Sequence, residues 1–194
     1  MKKIPTLFVR RFVNGKCVGI TDEVMPGLEW VLAGEGVATV KYDGVCCAII
    51  NDRYYKRYDA KGGKKPPAGA IPCCDPDPVT GHWPHWVMVS GVREDKWFLA
   101  ALANTEHTPL DSTCEAIGPH FNGNPYNLDR DKLVPHGQDI IQLGDRSFDA
   151  IRDYLETHDI EGIVFWRDGQ PQCKIKRKDF GFAWPVKETK TNEA

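Results

Sequence analysis

The sequence predicts a mainly antiparallel α+β domain with few helices, and three observations lead there. Most apolar residues fall in short segments separated by Asn, Asp, Gly and Pro, the punctuation of strands and turns. One stretch, "SFDAIRDYLETH", carries apolar residues at helical spacing. A late stretch, "QCKIKR", alternates apolar and basic residues with the period of two of a half-buried strand.

Taken in order, "MKKIPTLFVRRF" is basic but lacks a continuous apolar core and a small-residue cleavage site, so it reads as a first strand rather than a signal peptide. "GVATV" leads into Lys41 and "VCCAII" follows, giving two strands; Asn51-Asp52 then turns the chain into "RYYKRY". "AKGGKKPPAGAIPCCDPDPVTGHWPH", rich in Gly, Pro and Lys, reads as a long loop. "WVMVSGV" and "KWFLAAL" predict a strand pair across Arg93-Glu94-Asp95, "STCEAIGP" a further strand, and "FNGNPYNLDRDKLVPHG" a loop. The helix places Phe148, Ile151 and Leu155 on one face behind Ser147 as its cap. "IEGIVFWR" and "QCKIKR" close the fold as a hairpin turning at Asp168-Gly169. Residues 1–186 are expected to form one domain, and 187–194 a polar tail.

Composition narrows the class. With 41% hydrophobic and 27% charged residues in 194, the chain can bury a core and is not of the disordered type. A net charge of −2 gives nucleic-acid binding no support from the whole chain. Such binding has to rest on a local patch, for which Lys56, Arg57, Lys61, Lys64 and Lys65, with Arg177 and Lys178, are the candidates. No apolar run approaches the roughly 18 residues of a membrane helix. Seven cysteines, four of them in adjacent pairs, predict reduced thiols in a cytoplasmic or otherwise intracellular setting. His82-x-x-His85 beside Cys73-Cys74 matches no strong zinc spacing, and the tryptophans read mostly as core or rim.

Lys41 raises the functional question. A lysine at the end of an apolar strand is costly unless its charge is paired or its amine is used. In the last hairpin Lys174 and Lys176 share one face while Cys173 and Ile175 enter the core, and Glu161 opens the preceding strand. Two lysines, a carboxylate and a glycine at a sheet mouth suit a phosphate and metal site. The plainer alternative is a solvated sheet face with an ion pair.

The order of these residues, K-x-D-G at Lys41, a strand glutamate at Glu115, Glu161-Gly162, then K-x-K at Lys174 and Lys176, resembles the covalent nucleotidyltransferase superfamily of ATP-dependent ligases and RNA capping enzymes. "KYDGVCC", "GHWPHWV", "GPHFNGNPYNL", "LVPHG", "IEGIVFW" and "KIKRKDFGFAWP" together resemble the ATP-dependent 5′-to-3′ RNA ligases, in particular the vertebrate RNA ligase 1 family, across residues 30–185. The resemblance implies a nucleotidyltransferase fold, an ATP-grasp-like ligase adenylation domain. Too few residues follow Lys176 for an OB domain, which argues against capping and ordinary DNA ligation.

The resemblance also implies a reaction. Lys41 attacks the α-phosphate of ATP and expels pyrophosphate, AMP passes to an RNA 5′-phosphate, and a 3′-hydroxyl then displaces AMP. Such an amine must be neutral to attack, hence its fixed and partly desolvated place at a strand end. By the same resemblance, Asp43 orients Lys41 and holds a metal-bound water, and Gly44 lets the backbone turn beside the nucleotide. Arg57 lies near the ribose or the RNA end, and Glu115 meets a ribose hydroxyl or a metal-bound water. Glu161 holds waters of the metal, and Lys174 and Lys176 neutralise the α-phosphate. Thr39, or a backbone group near Val40, is the candidate adenine reader. The implied metal ligands are Asp43, Glu115 and Glu161, the cofactors are ATP and Mg²⁺ or Mn²⁺, and the partner is RNA with 5′-phosphate and 3′-hydroxyl ends, with no membrane. Asn122, Asn124 and His136 lie in matching motifs and suit loop-bracing hydrogen bonds equally well. Cys46 and Cys47 stand where some relatives of the superfamily carry an arginine. Two other readings remain: a nucleotidyltransferase acting on another acceptor, capping-like or protein, and a non-catalytic nucleotide- or RNA-binding module. The intact K-x-D-G and K-x-K disfavour the last, since a binder needs no nucleophile.

Overall fold

A computed structural model describes residues 3–107 and 111–186. The elements run β1 (Phe8–Val13), β2 (Lys16–Val24), α1 (Glu29–Leu32), β3 (Val37–Lys41), β4 (Val45–Ile50), β5 (Arg53–Ala60), β6 (Ile71–Pro72) and β7 (Trp83–Met88). They continue with α2 (Lys96–Ala103), β8 (Ser112–Ile117), β9 (Lys132–Pro135), β10 (Ile140–Ile141), α3 (Phe148–Thr157), β11 (Gly162–Arg167) and β12 (Gln170–Lys176). The named strands pair antiparallel throughout, so the α+β class with mainly antiparallel sheets and few helices holds. The described residues divide into two units: a flanking unit of residues 4–42 and 137–186, and a central unit of residues 43–107 and 111–136 with Lys3.

The flanking unit holds the ribbon β1-β2 and a four-stranded sheet in the order β10-β3-β11-β12. Alternation builds its core: Ile163 and Phe165 of β11, and Cys173 and Ile175 of β12, are fully buried, leaving Lys174 and Lys176 on the opposite face. Helix α3 adds Ile151 and Leu155, four residues apart on one side, and the N-terminal stretch adds Leu7 and Phe8. Ser147 caps α3, its hydroxyl accepting the Ala150 N–H at 3.3 Å. Ser147→Ala is therefore expected to cost about 1 kcal/mol, read as a fall of about 2–4 °C in Tm by thermal unfolding.

The central unit is a six-stranded sheet in the order β6-β7-β5-β4-β8-β9. Strand β4 is covered on both faces. Cys47 and Ile49 enter a cluster with Cys114, Ala116, Phe121 and Leu133, while Ala48 enters another with Tyr55 and Trp86. The turn into β5 places both Asn51 and Asp52 at positive φ, 49° and 58°, where these residues are favoured.

Several expectations need correction. "KWFLAAL" forms helix α2, not a strand, and Arg93–Asp95 is a single 3₁₀ turn leading into it. Its Ala and Leu residues are strong helix formers, and Phe98, Ala101 and Leu102 pack into the core at helical spacing. The stretch read as a loop around residue 130 contains β9, which pairs with β8 and buries Leu133 and Val134. The long loop is interrupted by β6 and ends earlier, since β7 begins at Trp83. The proposed basic patch also thins. Arg177 is buried, its guanidinium donating to the carbonyls of Leu155, His158 and Ala183. Lys56 is paired with buried Asp95, and Arg57 with Asp59. Lys61, Lys64, Lys65 and Lys178 remain exposed. All seven cysteines are free thiols. Among the described residues no helix is long and apolar enough to cross a membrane. The tail from residue 187 lies outside the described residues.

Candidate functional site

In the flanking unit, register decides which charges meet. Lys41 ends β3 opposite Gly162 of β11, and Lys176 ends β12 opposite the same glycine from the other side. Glu161 immediately precedes Gly162. Its carboxylate accepts a hydrogen bond from Lys41 Nζ on Oε2 and from Lys176 Nζ on Oε1, each at 2.5 Å. Glu161 is 7% exposed, while the two lysines are 19% and 30% exposed, so the cluster is sunk but reachable. Lys41 Nζ also donates to the Tyr42 carbonyl at 3.3 Å. Gly162 has to lack a side chain: a Cβ there would strike the Ile175 carbonyl and lie 2.9 Å from Lys176 Cα. Lys174, opposite Val164, shares the face of Lys176. Two ammonium groups against one carboxylate leave a net positive cluster suited to a phosphate.

Thr39 does not join this group. It is 2% exposed; its hydroxyl accepts the Trp166 indole N–H at 2.8 Å and donates to the Val164 carbonyl. Tyr42 donates its hydroxyl to Asp139 Oδ2 at 2.6 Å, and burial together with that carboxylate pushes its pKa up, so it stays a neutral phenol.

The central unit assembles the other predicted residues. β3 and β4 belong to different sheets, so Asp43-Gly44 is not a hairpin turn. The Asp43 N–H donates to the Tyr126 hydroxyl at 2.6 Å, and Asn122 Nδ2 donates to Asp43 Oδ1 and to the Gly44 carbonyl, both at 2.8 Å. The Gly44 N–H donates to Glu115 Oε1 at 3.1 Å, and a Cβ on Gly44 would collide with the Ala116 carbonyl. Glu115 Oε2 lies 2.9 Å from His136 Nε2, whose Nδ1 meets the Thr113 hydroxyl at 2.9 Å. Glu115 stands directly across from Cys46 in the β4-β8 register. Burial pushes the Cys46 thiol up to about 12, with the Glu115 charge adding to the effect. Arg57 donates to Asp59 at 2.7 and 3.1 Å; burial opposes its charge, but the Asp59 contacts prevail and its pKa rises. Asn124 braces the loop instead, through the Leu128 N–H and carbonyl. His82 and His85 take separate partners, Asp59 and the Trp83 carbonyl. Trp83 donates to the Cys74 carbonyl and Trp86 is buried, which leaves both in structural roles.

Tyr42, Tyr126 and Asp139 are the contact residues that the sequence did not single out. The first two stand inside "KYDG" and "GNPY", so motif membership was the available signal.

Comparison with known proteins follows the same direction. A family model described as RNA ligase 1 matches residues 92–194, just over half the chain. A protein named RNA ligase 1 from Pongo abelii is 28% identical over 162 residues, covering 65% of this chain and 50% of that protein. Its namesake from Mus musculus is 26% identical over 229 residues, covering 80% and 70%. The one from Danio rerio is 34% identical over 94 residues, covering 43% and 28%. The chain thus spans half the length of the Pongo abelii relative and less of the Danio rerio one. With the model match extending over more than half of its residues, the chain belongs to the RNA ligase 1 family.

Proposed function

We propose that the protein is an ATP-dependent RNA ligase that joins a 5′-phosphate to a 3′-hydroxyl through a lysyl-AMP intermediate. The observation that carries the reading is the Lys41–Glu161–Lys176 cluster on three adjacent strand ends. Family membership supports the RNA substrate class.

Lys41 Nζ is the nucleophile. It forms a bond to the α-phosphorus of ATP as the bond to pyrophosphate breaks. Glu161 Oε2, at 2.5 Å, is the acceptor within reach of the proton that Nζ sheds. Lys176 and Lys174 face the charge that builds on the α-phosphate oxygens. AMP then passes to the RNA 5′-phosphate oxygen and frees Lys41, and the attacking 3′-hydroxyl finally displaces AMP. From the central unit, Glu115 takes the ribose hydroxyl or a metal-bound water, Arg57 the ribose or RNA end, and Asp43 a metal-bound water. The carboxylates of Asp43, Glu115 and Glu161 offer hard oxygen donors, the donor type that suits Mg²⁺ or Mn²⁺. Such an ion supplies positive charge to the phosphates when bound. Thr39, with its hydroxyl already spent, would act on adenine only through its backbone. Residues 1–186 are proposed to work together as one adenylation domain.

Incubation with Mg²⁺ and ATP labelled on the α-phosphate is expected to leave a covalent, acid-labile protein–AMP adduct. Addition of 5′-phosphorylated RNA should discharge it into circles or joined strands. No adduct under any tested metal or pH would end the reading, and an adduct that RNA cannot discharge would shift it to another acceptor.

A further inference from the structure

Cys46, Glu115 and His136 form a second constellation whose chemistry differs from that of the lysine cluster. Their donor atoms, one sulfur, one carboxylate oxygen and one imidazole nitrogen, all lie within 4.8 Å of one another. All three are carried on the central sheet: Cys46 on β4, Glu115 directly across on β8, and His136 just after β9. Cross-strand neighbours of this kind point to the same face.

We infer that this triad is a binding site for a single transition-metal dication of the zinc class, with one coordination position left open. Sulfur and imidazole donors select such ions over Mg²⁺, which prefers oxygen. A tetrahedral zinc sets its S, N and O donors roughly 3.3–3.6 Å apart. The three donor atoms lie within 4.8 Å of one another, and the His136–Glu115 pair, at 2.9 Å, has to open slightly.

The surroundings support the ligands. Glu115 is held through its other oxygen by the Gly44 N–H. His136 Nδ1 rests on the Thr113 hydroxyl, a group that rotates to donate or accept. It can accept the Nδ1–H when Nε2 turns its lone pair to a metal, the outer-shell contact that metal-binding histidines use. Arg57 is the neighbouring cation; it pairs with Asp59 and also hydrogen-bonds the Cys46 sulfur, a contact the metal has to displace. The half-buried Cys46 thiol must give its proton to solvent as the metal–sulfur bond forms. Three protein ligands with a fourth position free is the pattern of an open site, one that water or a phosphate oxygen completes.

The test uses the purified, metal-stripped full chain and Co²⁺ as a spectroscopic stand-in for zinc. One equivalent should bind and give a thiolate-to-cobalt charge-transfer band that zinc abolishes by displacement. Cys46→Ser should lose the band and His136→Ala should weaken binding at least about tenfold, whereas a Cys73→Ser/Cys74→Ser double variant should keep both. A band that survives Cys46→Ser overturns the site, as does the absence of any band in the wild type. X-ray absorption on zinc-loaded wild type needs no variant to fold: one sulfur in the first shell supports the triad, and none or two overturns it. These readouts are independent of ATP and RNA, so they stand or fall apart from the ligase reading.

Discussion

Lys41→Ala is expected to abolish both the protein–AMP adduct and RNA joining, a loss of at least about 10³-fold. No other group replaces the amine: the covalent step needs a nitrogen lone pair at that point, and Lys176 Nζ is held on the far oxygen of Glu161. Lys41→Arg sharpens the test. A guanidinium can still pair with Glu161, but it does not give up its proton and cannot attack. ATP binding, read by equilibrium dialysis, should therefore survive in the arginine variant while label capture disappears. Capture of label by the alanine variant would remove Lys41 as the nucleophile.

Glu161→Ala carries the second large effect, and stability reads it first. The wild-type carboxylate sits between two ammonium groups and is 7% exposed. Its removal leaves Lys41 and Lys176 facing the same space with no counter-charge. Breaking a fully buried pair costs about 3–5 kcal/mol; the partial exposure of both lysines brings the expectation down to about 2–3 kcal/mol, or roughly 4–12 °C in Tm for a chain of this size. A double variant that also replaces Lys176 by Met should recover part of the loss, because it removes one of the stranded charges. Glu161→Gln keeps the shape and one acceptor oxygen but cannot take the Lys41 proton. It should fold close to normally and lower the rate of adduct formation by at least about 10²-fold. A Glu161→Ala protein that melts like wild type would mean that the ion pairs hold nothing in place.

The parts of the fold legible in the sequence were those with a single period. "QCKIKR" alternates cleanly, and α3 pairs a 3–4 spacing with a serine cap, so neither has a competing solution. "KWFLAAL" is apolar at nearly every position, which fits a buried strand and a buried helix equally, and packing of Phe98, Ala101 and Leu102 decides for the helix. Strand β2 is harder to read because Asp22 interrupts the even spacing of Val18, Ile20 and Val24, and none of its residues is fully buried. For the candidate site, the order of Lys41, Glu115, Glu161, Lys174 and Lys176 is written in the chain, but their pairing is not. That Glu161 receives both Lys41 and Lys176 depends on the register that sets Gly162 between them. Cys46 was passed over for a similar reason. Its neighbours Glu115 and His136 arrive from strands far along the chain, and no local spacing announces them.

One junction ties the candidate site to the rest of its unit. Lys176 faces Glu161 from the last position of β12, and the very next side chain, Arg177, is anchored by the carbonyl oxygens of Leu155, Glu156, His158 and Ala183. Adjacent cations thus divide their labour, one paired with the Glu161 carboxylate and one turned inward as a rivet. The backbone that follows Lys176 is thereby fastened, one peptide unit on, to the C-terminal turn of α3.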